Sequence, residues 1–147
     1  MIGRLRGTPA GRTADGLLLD VNGVGYLVAA TPGVLRRADE GGEVTVDTFL
    51  HVREDTLQLY GFTDASEREL FTQLLTVSGI GPKLGITVLS GLQVNDLVTA
   101  IRAGDVARLQ KVPGIGKKTA ERLVLELRDK VDAVGALPGV TAAPTTS

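Results

Sequence analysis

Cysteine is absent from the 147 residues, which excludes a disulfide framework and a thiolate zinc site. Histidine occurs once, at His51, so a Ser-His or Cys-His nucleophile has little material to draw on. There is no tryptophan and only 3% of residues are aromatic, which argues against a protein that stacks on splayed single-stranded bases. No apolar run approaches the roughly 20 residues of a membrane span, and Met1 to Gly7 alternates charge with apolar residues rather than forming a secretory signal. A cytoplasmic location is the expectation. The 43% hydrophobic content is enough for packed cores in one or two small domains.

What is present is a repeat. VSGIGPKLG, Val77 to Gly85, returns as VPGIGKKTA, Val112 to Ala120, with Gly79 and Gly114 thirty-five residues apart. Each copy carries Gly-Ile-Gly ahead of a helix-compatible run with lysine in its first turn. Glycine tolerates φ > 0, so each turn can reverse the chain and present backbone N–H groups. The following helix adds unpaired amides and the positive end of its dipole, which together make an anion site without side-chain chemistry. Two such sites on one small domain suit a repeating polyanion, and nucleic-acid backbone is the obvious one. A single Gly-Ile-Gly would as readily be a plain helix-to-helix turn. Duplication with lysine after both copies weakens that reading.

Other phosphate motifs fail on spacing. A P-loop requires a glycine where Lys111 stands, and Lys117 is followed by Lys118 rather than by Ser or Thr. A dinucleotide fingerprint requires a third glycine where Leu84 and Thr119 stand.

The formal net charge of −1 hides an uneven distribution. Met1 to Phe62 holds six Arg against eight acids, and Thr63 to Ser147 holds ten basic residues against nine acids. Between Arg108 and Arg122 five basic residues (Arg108, Lys111, Lys117, Lys118, Arg122) face one acid, Glu121. Such a run is usually a solvated helix face. Centred on an anion-binding turn, it reads as a phosphate footprint.

The N-terminal part reads as β structure, with strands over Ile2 to Thr8, Gly16 to Val21, Val24 to Ala29, Glu43 to His51 and Thr56 to Phe62. Asn22-Gly23 marks a hairpin, and Thr31 to Ala38 suits a short helix. Five strands with a helix in that place predict a small OB-like barrel. From Thr63 the hydrophobic period becomes helical. Ser66 with Glu69 predicts a capping box for a helix running to about Thr76. Val94, Leu97, Val98 and Ile101, and then Ala120, Leu123, Val124 and Leu127, mark buried helix faces. The fold class expected is α+β in two domains: an OB-like barrel over residues 1–62 and an all-α tandem helix-hairpin-helix domain over 63–134. Residues 135–147, small and proline-containing without period, read as a linker or tail with something beyond it.

The opening MIGRLRG, the segment HVREDTLQLYGF from His51 to Phe62, and the two glycine hairpins in order together resemble the RuvA family of bacterial Holliday-junction-binding subunits. The resemblance covers about Met1 to Val134. It implies a non-catalytic subunit that holds four-way DNA junctions open and planar for branch migration by the RuvB hexameric ATPase, in recombination and repair. It implies no cofactor, no bound metal, a homotetramer with an octamer as the alternative, and the RuvC resolvase as a further partner. The family's small C-terminal RuvB-binding domain is expected to lie beyond the segment seen here. By position, Gly79, Ile80, Gly81, Lys83, Gly114, Ile115, Gly116, Lys117 and Lys118 would grip phosphates, and Glu54 and Asp55 would form an acidic pin at the crossover. Without the resemblance, Glu54-Asp55 is an ordinary hairpin tip.

Two alternatives belong to other classes. A nuclease or glycosylase could use the same DNA-binding module, with Glu54 and Asp55 ligating Mg²⁺. Adjacent strand residues point to opposite faces, so a shared metal would need a distorted loop. A general architectural or repair module that binds duplex DNA is the other.

Overall fold

The Asn22-Gly23 pair turns the chain with both residues at positive φ, 52° and 91°. The Gly23 N–H donates to Asp20 Oδ1 at 2.8 Å, and Val21 pairs with Val24 across the turn. The computed structural model, which describes residues 1–135, divides into two units, Met1–Asp64 and a second that begins at Ala65.

In the first unit, strands β1 (Arg4–Arg12), β2 (Gly16–Val21), β3 (Val24–Ala30), β4 (Val44–Arg53) and β5 (Thr56–Phe62) close into a barrel in the order β1-β2-β3-β5-β4. All pairings are antiparallel except β3 with β5. Closure leaves no sheet edge unpaired. Alternate residues point inward and form the core: Leu5, Leu17, Leu19, Val28, Val44, Val46 and Leu59. Helix α1 (Pro32–Asp39) lies against β3, β4 and β5 and adds Val34 to that core. Thr48 is buried among these strands, and its hydroxyl donates to the Ile2 carbonyl at 2.7 Å.

The barrel follows the expected pattern with one notable extension. β1 runs to Arg12 instead of stopping near Thr8, through a register shift between Pro9 and Gly11. Pro and Gly locally favour a break. Pairing with β2 on the far side of the shift (Gly11 with Leu18, Arg12 with Leu17) carries the strand through as a bulge.

The second unit is helical: α2 (Ala65–Leu75), α3 (Pro82–Gly91), α4 (Val94–Ala103), α5 (Val106–Leu109), α6 (Lys117–Leu127) and α7 (Val131–Gly135). Leu70, Phe71, Leu74, Leu97, Ile101, Leu123 and Leu127 are fully buried, as the 3.6-residue period requires. Gly104 ends α4 in the left-handed conformation, and Asp105 then caps α5 by accepting from the Arg108 N–H at 3.1 Å. One expectation fails here. Ser66 is not the cap of α2, because the helix starts at Ala65 and Ser66 lies fully buried inside its first turn. The residue ahead of the helix is Asp64, an equally suitable capping type, and burial decides which of the two enters the turn. The expected linker over 135–147 lies, beyond Gly135, outside the described residues. Among those described, no single helix is long and apolar enough to cross a membrane.

Candidate nucleic-acid interface

The two glycine turns have one geometry. Gly79 and Gly114 sit at φ 95° and 90°, a conformation that glycine takes without the steric cost a β-carbon would bring. One residue later, the Ile80 N–H donates to the Val77 carbonyl and the Ile115 N–H to the Val112 carbonyl, both at 3.1 Å. Gly81 and Gly116 then stand at the N-caps of α3 and α6 with extended backbone, ψ −180° and −179°. Their carbonyls accept the first intrahelical bonds, from Gly85 at 2.9 Å and Ala120 at 3.0 Å.

These bonds decide which groups remain open. Val77, Ile80, Val112 and Ile115 are buried, so the apolar residues of each turn pin it to the helical core. Ile80 and Ile115 are each 5% exposed and their N–H groups are used within the turn. Their side chains and N–H groups thus anchor each turn. The amides ahead of Gly85 and Ala120 have no intrahelical partner. In the first hairpin these are Lys83 and Leu84, because Pro82 has no N–H; in the second they are Lys117, Lys118 and Thr119.

The lysines add charge to the dipole ends. Lys83, Lys117 and Lys118 are exposed. None of them forms an ion pair among the described residues, whereas Arg108 is held by Asp96 at 3.6 Å and Arg102 by Asp132 at 2.7 Å. The basic residues of the helical unit therefore divide into some paired with carboxylates and some that form no ion pair among the described residues.

The hairpins also face each other. A β-carbon on Gly114 would meet Leu84 Cδ1 at 2.9 Å, and one on Gly79 would meet Thr119 Oγ1 at 3.8 Å and Arg122 Nη1 at 4.0 Å. Leu84 and Thr119 occupy equivalent places in the repeat. Each turn thus packs on the other hairpin's helix in a locally two-fold manner, which brings the N-terminal ends of α3 and α6 near one another. In the sequence Arg122 is only one member of a basic run. Its place beside Gly79 has no signal there, since it depends on how the two copies pack.

In the first unit, Arg53 pairs with Thr56, leaving Glu54 and Asp55 as a two-residue tip between β4 and β5. Both are exposed and neither has positive φ. They are turn residues, so the strand alternation expected to point them to opposite faces does not apply. Asp55 Oδ1 accepts from the Thr56 hydroxyl at 3.2 Å. No group of three or more His, Cys, Asp or Glu among the described residues could hold a metal ion. His51 lies on β4 opposite Gln58, its ring stacked on Phe49 with centroids 6.4 Å apart.

Comparison with known proteins agrees with this division. Residues 1–61 match the RuvA N terminal domain, and residues 71–129 match the SAM-like helix-hairpin-helix tandem. The chain is 51% identical over 140 residues to the Holliday junction branch migration complex subunit RuvA of Pseudomonas syringae pv. syringae (strain B728a), covering 95% of this chain and 69% of that protein. The chain belongs to the RuvA family. The RuvA of Pseudomonas aeruginosa (strain LESB58) is 51% identical over 141 residues, and that of Stutzerimonas stutzeri (strain A1501) is 48% identical over 141. In both cases 95% of this chain and 70% of the relative are covered. These RuvA relatives span barrel and hairpins together, so the resemblance is not confined to the widely used hairpin tandem.

Proposed function

We propose that this chain is a non-catalytic DNA-binding subunit that holds four-way junctions for branch migration, gripping the duplex arms without regard to base sequence. The observation that carries this reading is the pair of glycine turns with matched backbone geometry and reciprocal packing. Two adjacent helix N-termini with open amides and unpaired lysines suit two phosphates of one duplex near its minor groove. In this reading Gly79, Gly81, Lys83, Gly114, Gly116, Lys117 and Lys118 make the contacts, and Ile80 and Ile115 shape the turns. Backbone contacts of this kind position a duplex but do not read it. That suits a protein that must act while the junction moves through any sequence.

Glu54 and Asp55 are the acidic pin in this reading. Four subunits would bring eight carboxylates to the crossover, where the phosphates of four strands also crowd. Repulsion there opposes closure of the junction. The assembly is a homotetramer, or two tetramers about the DNA, and RuvB supplies the ATP-driven motion that this chain's phosphate-holding surface does not. RuvC is a further partner at the same junction. The family of the chain, and the exposed tip at the position of the family's pin, support these assignments.

Titrating four-way and linear duplex DNA of matched sequence in a gel-shift series across salt tests the reading. Strong preference for the junction with a steep salt slope is expected. Equal binding to both forms would favour a general duplex-binding module, and metal-dependent nicking lost on changing Glu54 would favour a nuclease.

A further inference from the structure

The two hairpins share backbone geometry but differ in charge. Positions thirty-five apart can be compared directly: Pro82, Lys83, Leu84 and Thr87 in the first copy correspond to Lys117, Lys118, Thr119 and Arg122 in the second. The first copy therefore has one fewer amide and one fewer lysine in its first turn, and a hydroxyl where the second has a guanidinium. The Thr87 hydroxyl is occupied, donating to the Lys83 carbonyl at 3.0 Å. On its own residues, the first turn is the poorer anion site.

Packing redresses this. Arg122 belongs to α6, the helix of the second hairpin, yet its Nη1 stands 4.0 Å from the position of a β-carbon on Gly79, in the first. Thr119 Oγ1 stands 3.8 Å from the same point. At the reciprocal point, a β-carbon on Gly114, the one atom met within 4 Å from outside its own stretch of chain is a carbon of Leu84. Arg122 is exposed and forms no ion pair among the described residues, so no carboxylate neutralises it.

We infer that Arg122, assisted by the Thr119 hydroxyl, completes the phosphate site of the first hairpin from across the local two-fold relation. One helix then serves both sites: its N-terminus and lysines hold one phosphate, and its second turn reaches the other. A guanidinium suits that place because its planar fork can donate two parallel hydrogen bonds to one phosphate, which an ammonium cannot. The inference rests on the DNA-binding reading above.

The test compares wild type, Arg122→Gln, Arg122→Lys, Lys83→Ala and Lys117→Ala/Lys118→Ala on a four-way junction. Equilibrium binding is measured across salt and on junctions carrying single neutral methylphosphonates. Arg122→Gln should weaken binding on the order of tenfold and make the salt slope shallower by about 0.9 for each phosphate no longer neutralised. Arg122→Lys should restore the slope but only part of the affinity. Neutralising a phosphate that a variant no longer holds costs nothing further, so each variant reveals its own phosphates. Arg122→Gln should become insensitive at the positions where Lys83→Ala does, and stay sensitive at those of Lys117→Ala/Lys118→Ala. Unchanged affinity and slope in Arg122→Gln, or insensitivity shared with the Lys117/Lys118 variant, would overturn the inference while leaving junction binding intact. A wild-type chain that shows no junction preference and no salt dependence would instead remove the reading on which it rests. Circular dichroism confirms that each variant is folded.

Discussion

Leu84 Cδ1 lies 2.9 Å from where a β-carbon on Gly114 would stand, so the second hairpin's turn closes directly on the first hairpin's helix. That contact, with its counterpart between Thr119 and Gly79, keeps the two helix N-termini adjacent. Adjacent positive ends repel one another, and an anion at each end would relieve that repulsion.

The glycine turns should respond unequally to a methyl group. Gly114→Ala meets both a left-handed backbone, disfavoured for alanine by about 1–2 kcal/mol, and the Leu84 contact. Gly79→Ala meets the backbone cost with only ordinary contacts around it. Thermal unfolding should show the larger loss for Gly114→Ala, and Leu84→Ala in the same chain should recover the steric share. Equal losses at the two glycines would mean that the Leu84 contact does not constrain the turn.

Replacing Lys117 and Lys118 together by alanine should weaken binding to all four-way junctions alike and flatten its salt dependence by about 0.9 per phosphate no longer neutralised. Fluorescence anisotropy with junctions of unrelated sequence checks this. Weakening confined to particular sequences would indicate base readout.

The exposed tip should not contribute affinity. Carboxylates held near phosphates cost on the order of 1 kcal/mol per pair at ~4 Å in water, and more where water is scarce. Glu54→Gln with Asp55→Asn should leave junction binding unchanged or tighter. Linear duplex should gain relative to the junction, because the repulsive centre that disfavours a continuous duplex is gone. Abolished junction binding in a folded variant would make these carboxylates ligands or structural partners instead.

Alkaline pH should destabilise the barrel through Tyr60. Burial raises its phenol above the ordinary value of 10.0, the Asp15 carboxylate raises it further, and Arg53 partly opposes them. The folded state thus holds the proton more tightly than the unfolded chain. The resulting stability is fully present below about pH 10 and is lost as pH rises through the folded value. Urea unfolding between about pH 9 and 12 should show this fall, and Tyr60→Phe should reduce it. An identical slope in the variant would assign the alkaline loss to other groups.

Local signals carried much of the architecture. The Asn22-Gly23 turn and the bounds of β2 and β5 are legible because residue type and alternation act over a few residues. The glycines at 79 and 114 are legible because positive φ is rarely open to any other residue, and the repeat makes the same demand twice. Other features were decided by contacts between distant segments. Pro9 and Gly11 look like a strand end until β2 pairs across them as a bulge. Ser66 looks like a cap until burial draws it into the helix. Ile80 and Ile115 stand between glycines in a turn, yet their side chains are buried, because a side chain's direction depends on what packs beside it and here that is the helical core. Arg122 beside Gly79 is the strongest case. Periodicity assigns a residue to a face of its own helix; only the packing of the two hairpins decides which turn that face meets.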